Sequence, residues 1–451
     1  MPRTHARAAI LSVGDELVLG QTLDTNGRWL AQRVTDAGIV PVEHATVADD
    51  LEAQASAIAR LAGVADVVLC TGGLGPTADD LTRGALARAM GDSLIEDALA
   101  LAHLEALYES RGRTLTALNR LQALRPQRAE TMPNAFGTAP GLRGVVRVGA
   151  HECDVFCMPG PPRELFPMFE HHVAPRLTPP PGRTVRTRVL HSFGLAESEL
   201  AQRLGGLMAR DASPLVGTTA SGGVVSVRIR YEGSMPAIEA DAGIDECERR
   251  VREAIGEYVF ARGEQTLQDA VLALLRARGQ TLGVVESCTG GLLGEILTQP
   301  AGSSSVFVGG LVTYSNGLKA SLAGVDRALL DGPEAPGAVS AEVARAMALG
   351  GLRALACDHC LAVTGIAGPD GAVAARPATA TAPMRAGKPV GTVFVARASR
   401  VGAVEPDVDV RRFAFVGDRQ SVREWSARTA LAMLWQHGAG LPPMRLLREV
   451  E

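Results

Sequence analysis

The chain has 451 residues, 46% of them hydrophobic, and a formal net charge of −4. That length is too great for one ordinary core and predicts about three domains of roughly 100–200 residues. The slight acidic balance excludes a protein built to coat nucleic acid or an anionic membrane, and with 4% aromatics the chain offers few stacking platforms for single strands.

From the N-terminus, the apolar run Ala8–Val13 reads as a strand, too short for a signal-peptide core and without a cleavage site. No stretch approaches about 18 uninterrupted apolar residues, so no membrane span is expected. The seven cysteines are an odd, scattered set, which fits a reducing cytoplasm. Cys357-Asp358-His359-Cys360 looks like half a zinc knuckle, but Cys153 and Cys157 could complete it only by crossing domains; thiols buried as small hydrophobes are the better reading.

Asp24 or Thr25 caps a helix through Ala37, with Trp29, Leu30 and Val34 inside and Gly38 placed to end it. Residues 39–47 read as a strand, Asp50–Ala62 as a helix, and Ala65–Cys70 as a valine-rich strand feeding a glycine turn. This alternation predicts a parallel sheet with helices on both faces. A proline-rich linker follows at Pro175–Gly182. Residues 183–262 form a small α+β unit, with strands at Val185–Phe193 and Val224–Tyr231 and a helix near 236–256. From Gln265 the α/β pattern resumes. A helix carrying Leu267, Val271, Leu274 and Leu275 precedes the strand Thr281–Val285, and further strands are expected at 308–313, 359–364, 391–398 and 408–415. A last helix begins near Asp418, and the Ala-, Pro- and Thr-rich segment 372–387 reads as a mobile or disordered insert.

Only two of the 45 basic residues are lysine, Lys319 and Lys388. Arginine replaces a surface lysine in nearly every role except giving up its proton, so a lysine in so arginine-rich a chain is a candidate for proton transfer. Lys319 closes the segment Tyr314-Ser315-Asn316-Gly317-Leu318-Lys319 at a strand end. Upstream, Thr281–Val285 runs into Glu286-Ser287-Cys288-Thr289-Gly290-Gly291 and then a helical pattern. A nucleophile on such a turn is exposed at the sheet edge. Thr289, Gly290 and Gly291 put N–H groups at a helix start, suited to a phosphate or an oxyanion. The plain alternative is a tight turn that needs glycine. A serine–lysine pair is one arrangement for nucleophile and base, with Tyr314 on the same proton path; a cysteine amidase using Cys288 is another. Thr364-Gly365-Ile366-Ala367-Gly368-Pro369-Asp370-Gly371 is a third strand-end loop, and three such loops converge on one crevice.

The N-terminal half has its own glycine loops. Gly14-Asp15-Glu16 follows the first strand, and Gly72-Gly73-Leu74-Gly75-Pro76-Thr77-Ala78-Asp79-Asp80 follows the third. Gly14, Asp15, Gly72, Gly73 and Gly75 are candidates for a nucleotide site. Asp79 and Asp80, hard oxygen ligands, suit a divalent metal, or else complement a helix dipole.

Together these segments, with Lys388–Val393, Gly417-Asp418-Arg419, Arg423, Asn134–Gly141 and Met158–Glu164, resemble the CinA family over nearly the whole chain. The resemblance implies a multidomain α/β protein. Residues 1–172 would form a three-layer α/β/α molybdopterin-binding-like domain, 183–262 a small α+β middle domain, and 265–440 an α/β amidase domain. It implies hydrolysis of the carboxamide of nicotinamide mononucleotide with no cofactor. Ser287 would be the nucleophile, Lys319 the base and Tyr314 an assisting hydroxyl, with Thr289, Gly290, Gly291, Asn316, Gly365 and Gly368 around the substrate. For the N-terminal domain it implies a nucleotide-like ligand and metal-dependent ADP-ribose hydrolysis. The expected state is a cytoplasmic homo-oligomer, a dimer, acting on small nucleotides rather than nucleic acid or membrane. The family usually has an acidic residue at Gly317 and a histidine at Ala78, and a shorter link between Gly371 and Lys388. Two other functions fit the same residues: a competence- or damage-related regulatory protein with silent sites, and handling of molybdenum cofactor.

Overall fold

The computed structural model describes residues 3–369, 387–400 and 405–451. Most of the predicted insert at 372–387 therefore lies outside the described residues, as do Asp370 and Gly371. The chain divides into two compact units, one of residues up to 186 with 231–241, the other of 187–230 with 242–451.

The first unit carries strands β1 (Arg7–Val13), β2 (Val40–Val47) and β3 (Val67–Thr71), a short ribbon of β4 (Leu94–Glu96) and β5 (Leu124–Pro126), then β6 (Glu130–Met132), β7 (Gly141–Val148) and β8 (His151–Met158). Its main sheet has the order β2-β1-β3-β8-β7-β6. The period-two alternation of a strand explains why two cores form. On β1, Ala8 and Ile10 pack with Leu30 and Val34 of the helix Thr25–Asp36. Ala9, Leu11 and Val13 pack on the other side with Ile58 and Leu61 of the helix Leu51–Ala62. Both helices start on an aspartate: Asp24 accepts from the Gly27 N–H and Asp50 from the Ala53 N–H.

The second unit contains most of a four-stranded sheet of order β10-β11-β9-β12, from β9 (Thr184–Phe193), β10 (Leu215–Ser221), β11 (Val224–Gly233) and β12 (Val259–Arg262). Its larger sheet comprises β13 (Leu282–Glu286), β14 (Phe307–Val312), β15 (His359–Gly365), β16 (Thr392–Ser399), β17 (Asp407–Ala414) and β18 (Glu449–Val450), in the order β14-β13-β15-β16-β17-β18. Leu282 and Val284 face a core shared with the helices Leu267–Ala277 and Arg419–Gly438, and Val285 faces one shared with the helix Ala341–Ala354.

Neither large sheet is wholly parallel, which corrects the reading from strand–helix alternation. β7 runs antiparallel to β8, and β16 antiparallel to both β15 and β17. Parallel neighbours need a crossover of a dozen or more residues, usually helical. Between β7 and β8 there is only a tight turn at Gly149 (φ 61°), so the chain reverses there.

Candidate active site

β14, β13 and β15 lie side by side and run parallel, so the loops leaving their C-terminal ends share one edge. Ser287 directly follows β13 and remains in the ladder, its N–H donating to the Val363 carbonyl at 2.9 Å. The chain then turns sharply into the helix Leu292–Thr298, and Gly291 takes a left-handed φ of 98° that a side chain would strain. The turn is fixed from within by Glu286. Its buried carboxylate accepts from the N–H groups of Gly291 (3.0 Å), Leu293 (3.0 Å) and Gly294 (2.8 Å). An acid at a helix N-terminus satisfies orphan donors and complements the dipole.

That cap alters one expectation. The Gly291 N–H is spent on Glu286 and the Gly290 N–H on the Ser287 carbonyl at 3.1 Å, so neither is open to a phosphate or oxyanion. Both glycines serve the turn.

Lys319 lies on the helix Asn316–Ala323, whose start Ser315 caps by accepting from the Leu318 N–H. Although lysine is almost never fully buried, this one is 2% exposed. Its Nζ donates to Ser287 Oγ at 3.0 Å, to the Thr313 carbonyl at 2.9 Å and to the Tyr314 carbonyl at 3.4 Å. Burial holds its pKa below the ordinary lysine value. Cys288, the alternative nucleophile, is buried in the apolar cluster of the sheet, and burial pushes its thiol up to about 12. It is a core residue.

The other candidates fall into two groups. Tyr314 meets Lys319 through its carbonyl; its hydroxyl accepts from Arg419 Nη2 at 2.9 Å, on a ring 58% exposed. Gly368 is at the same clasp, its carbonyl accepting from Arg419 Nη1 at 2.6 Å. Thr289 gives its carbonyl to Arg423 Nη2 at 2.8 Å, while its buried hydroxyl has no partner among the described residues. Asn316 and Gly365 stand apart. The Asn316 side chain donates to Asp331 Oδ1 at 3.2 Å, and Gly365 gives β15 room against β16, where a Cβ would lie 2.6 Å from Val393.

Thr313, Arg419 and Arg423 were not singled out as site residues from sequence, and Glu286 only as a partner of Cys288 and Lys319 in the cysteine-amidase alternative. For the two arginines a signal existed: they follow the N-cap Asp418 at a spacing of four, on one face of the helix Arg419–Gly438. Arg419 joins the loop after β14 to the loop after β15, and β13, which leads into Ser287, lies between those strands.

In the first unit a cavity of about 370 Å³ opens at the ends of β1, β3 and β8. Gly14, Gly72, Gly73, Gly75, Asp79 and Asp80 line it; Asp15 does not, but its neighbour Glu16 and its partner Asp49 do. At Gly72 a Cβ would lie 2.4 Å from the Val13 carbonyl, so close backbone approach demands glycine there. No lysine or arginine is among the lining residues, whereas Glu16, Asp49, Asp79 and Glu164 all are. Burial, then the charges of Asp15, Glu16 and Asp79, raise the Asp49 pKa above the ordinary carboxyl value. The metal expectation does not fit this arrangement. Asp80 spends its carboxylate on its own turn, accepting from the N–H groups of Gly75 (2.7 Å) and Thr77 (2.8 Å) and from the Thr77 hydroxyl. Among the described residues no three His, Cys, Asp or Glu groups gather as a metal ion would require.

Fold and site together define a multidomain α/β protein with a buried serine–lysine pair at a sheet edge. Family models divide the chain in three: residues 9–179 match "Probable molybdopterin binding domain", 187–261 match "Damage-inducible protein CinA KH domain", and 264–437 match "CinA C-terminal domain". A CinA-like protein of Geobacter sulfurreducens is 41% identical over 437 residues, covering 95% of this chain and 98% of its own. One from Synechococcus is 41% identical over 427 residues, covering 94% and 96%. A solved structure of CinA from Thermoplasma acidophilum is 31% identical over 38% of this chain and 98% of that one, with a TM-score of 0.35. The chain belongs to the CinA family. Among the described residues no helix is long and apolar enough to cross a membrane.

Proposed function

We propose that the second unit is a serine amidase that hydrolyses the carboxamide of nicotinamide mononucleotide to nicotinate mononucleotide and ammonia. The observation that carries this reading is the set of three partners around Lys319 Nζ: two backbone carbonyls and Ser287 Oγ. A neutral amine has two N–H groups and one lone pair. With the two N–H groups held by the carbonyls of Thr313 and Tyr314, the lone pair is left facing the Ser287 hydroxyl. Burial makes that neutral form accessible.

In this reaction Ser287 Oγ attacks the carboxamide carbon as its proton passes to Lys319. The N–H groups of Cys288 and Thr289, neither of which has a partner among the described residues, are the donors of the turn that remain to meet the developing oxyanion. Lys319 then delivers its proton to the departing nitrogen, releasing ammonia and leaving an ester on Ser287. Water, deprotonated by Lys319, cleaves the ester to free nicotinate mononucleotide. The guanidiniums of Arg419 and Arg423, on the rim, are suited to the substrate phosphate.

The test is ammonia release from nicotinamide mononucleotide by the purified full-length chain. Turnover that Ser287→Ala abolishes and Cys288→Ala largely spares is the expected result. The reverse pattern makes the enzyme a cysteine amidase, and no ammonia from the unaltered protein favours a regulatory role. The acidic cavity of the first unit offers a diphosphate no basic side chain and, among the described residues, no metal cluster, so it does not support a pyrophosphatase.

A further inference from the structure

Cys357 and Cys360 are the chain's one C-x-x-C pair and take no part in the site above. They lie where the helix Ala341–Ala354 passes into β15, just after Ala356, which holds a left-handed φ of 49°. Cys357 is 5% exposed and sits between exposed Ala356 and half-buried Asp358, whereas Cys360 is wholly enclosed. The two sulfurs occupy space that two glycines leave. A Cβ on Gly283 would stand 2.9 Å from Cys357 Sγ, and one on Gly351 would stand 2.3 Å from Cys360 Sγ.

The two thiols lie in one buried cluster and are chemically unequal. The Cys360 sulfur points its hydrogen bond at the Leu361 carbonyl (3.9 Å), and the two thiols act on each other: Cys357 is held below the usual thiol range beside Cys360, while Cys360, beside Cys357 and buried, is pushed well above it. The Gly283 N–H further favours the Cys357 thiolate. Burial does the opposite at Cys153, Cys247 and Cys288, whose thiols are pushed up. Thiolate character decides which cysteine reacts with an oxidant. The outer thiol of this pair is thus the acidified one, with a second thiol three residues on in the same cluster.

We propose that Cys357 and Cys360 form a thiol-oxidation site that a hydroperoxide converts into an intramolecular disulfide. Cys357 attacks the peroxide O–O bond, giving a sulfenic acid on Cys357 and, from hydrogen peroxide, water; sulfur is oxidised and peroxide reduced. Cys360 Sγ then attacks Cys357 Sγ, its proton leaves with the displaced hydroxyl as a second water, and the S–S bond forms. The bond so formed is about 2.05 Å long. The bridge forms against Gly283 of β13, the strand that leads into Ser287.

The experiment uses the full-length chain, folded, with hydrogen peroxide as oxidant, then acid quenching, alkylation in denaturant and tryptic mass spectrometry. The peptide beginning at Ala354 carries both cysteines. The expected product is that peptide lighter by two hydrogens and unalkylated, returned to the dithiol by dithiothreitol. In Cys360→Ser the reaction should stop at a Cys357 sulfenic acid that dimedone captures. Both cysteines remaining alkylatable after peroxide, or Cys357 overoxidised to sulfinic acid beside a free Cys360, would overturn the proposal. The outcome does not depend on amidase activity.

Discussion

Lys319 and Lys388 are equally rare in the sequence, and composition alone cannot rank them. Their surroundings do. Lys388 Nζ donates to the carbonyls of Pro336 and Val339 and lies 5.9 Å from the Phe394 ring centroid, tying a loop to the sheet. Lys388→Arg, which keeps the charge and most of the reach, should change ammonia release little. Lys319→Arg removes the only form that can accept a proton. Turnover should fall at least about a hundredfold, in line with general-base contributions of roughly 10²–10⁴, with the circular dichroism spectrum retained. Near-normal turnover would end the proton-transfer role. The pH profile gives a second check. Because burial lowers the Lys319 pKa, turnover should rise with pH through a single ionisation below 10.5. Between that lowered value and 10.5 the unfolded chain binds a proton the folded one does not, so stability from this group also rises with pH. Arg419 was legible only as a motif residue, since nothing local says its guanidinium reaches Tyr314 and Gly368. Arg419→Gln should raise KM for nicotinamide mononucleotide more than it lowers kcat.

At the scale of elements, the strand-to-helix turn after β13 was readable because a buried strand, a glycine pair and an apolar helix follow in order. The acid that holds the turn was not, since an adjacent glutamate reads equally well as a solvated rim residue. The sheets show the same division. Strands separated by helices were placed correctly as strands, but their direction depends on connection length and pairing, which periodicity does not carry. At the edge of the larger sheet remote from Ser287, buried His359 links β15 to β16: its Nδ1 pairs with Ser399 Oγ at 2.8 Å and its Nε2 with Gln280 Oε1 at 3.1 Å. Burial, then the nearby His437, lowers its pKa to about 4 from an ordinary value of 6.5. Between those values the unfolded chain is the more protonated. The stability this group contributes should therefore fall as pH drops from 6.5 and level off below about 4. Urea midpoints measured from pH 7 to pH 4 should decline less steeply in His359→Asn; equal slopes would show that this histidine does not set the acid limb.

Across the whole molecule, length predicted about three domains; the described residues form two compact units, each with cores of its own. What composition could not carry is how much of each candidate site is structural. In the first unit the glycines and acids that suggested a nucleotide and a metal are largely committed to their own turns, Asp80 most plainly, with three accepted hydrogen bonds within Gly75–Thr77. In the second unit the serine and the rare lysine make their hydrogen bonds to residues of that same unit, namely Val363, Thr313 and Tyr314. The chemistry assigned to the second unit thus has no residue in the first. Asp80→Ala is the variant that tests this separation. Loss of the turn's acceptor should lower the unfolding midpoint of the first unit, at a cost of about 1 kcal/mol for this half-exposed group. Ammonia release from nicotinamide mononucleotide should stay at the level of the unaltered protein. If that substitution instead silenced the amidase while leaving the second unit folded, the two halves would be energetically coupled, and the catalytic assignment would have to include the first unit.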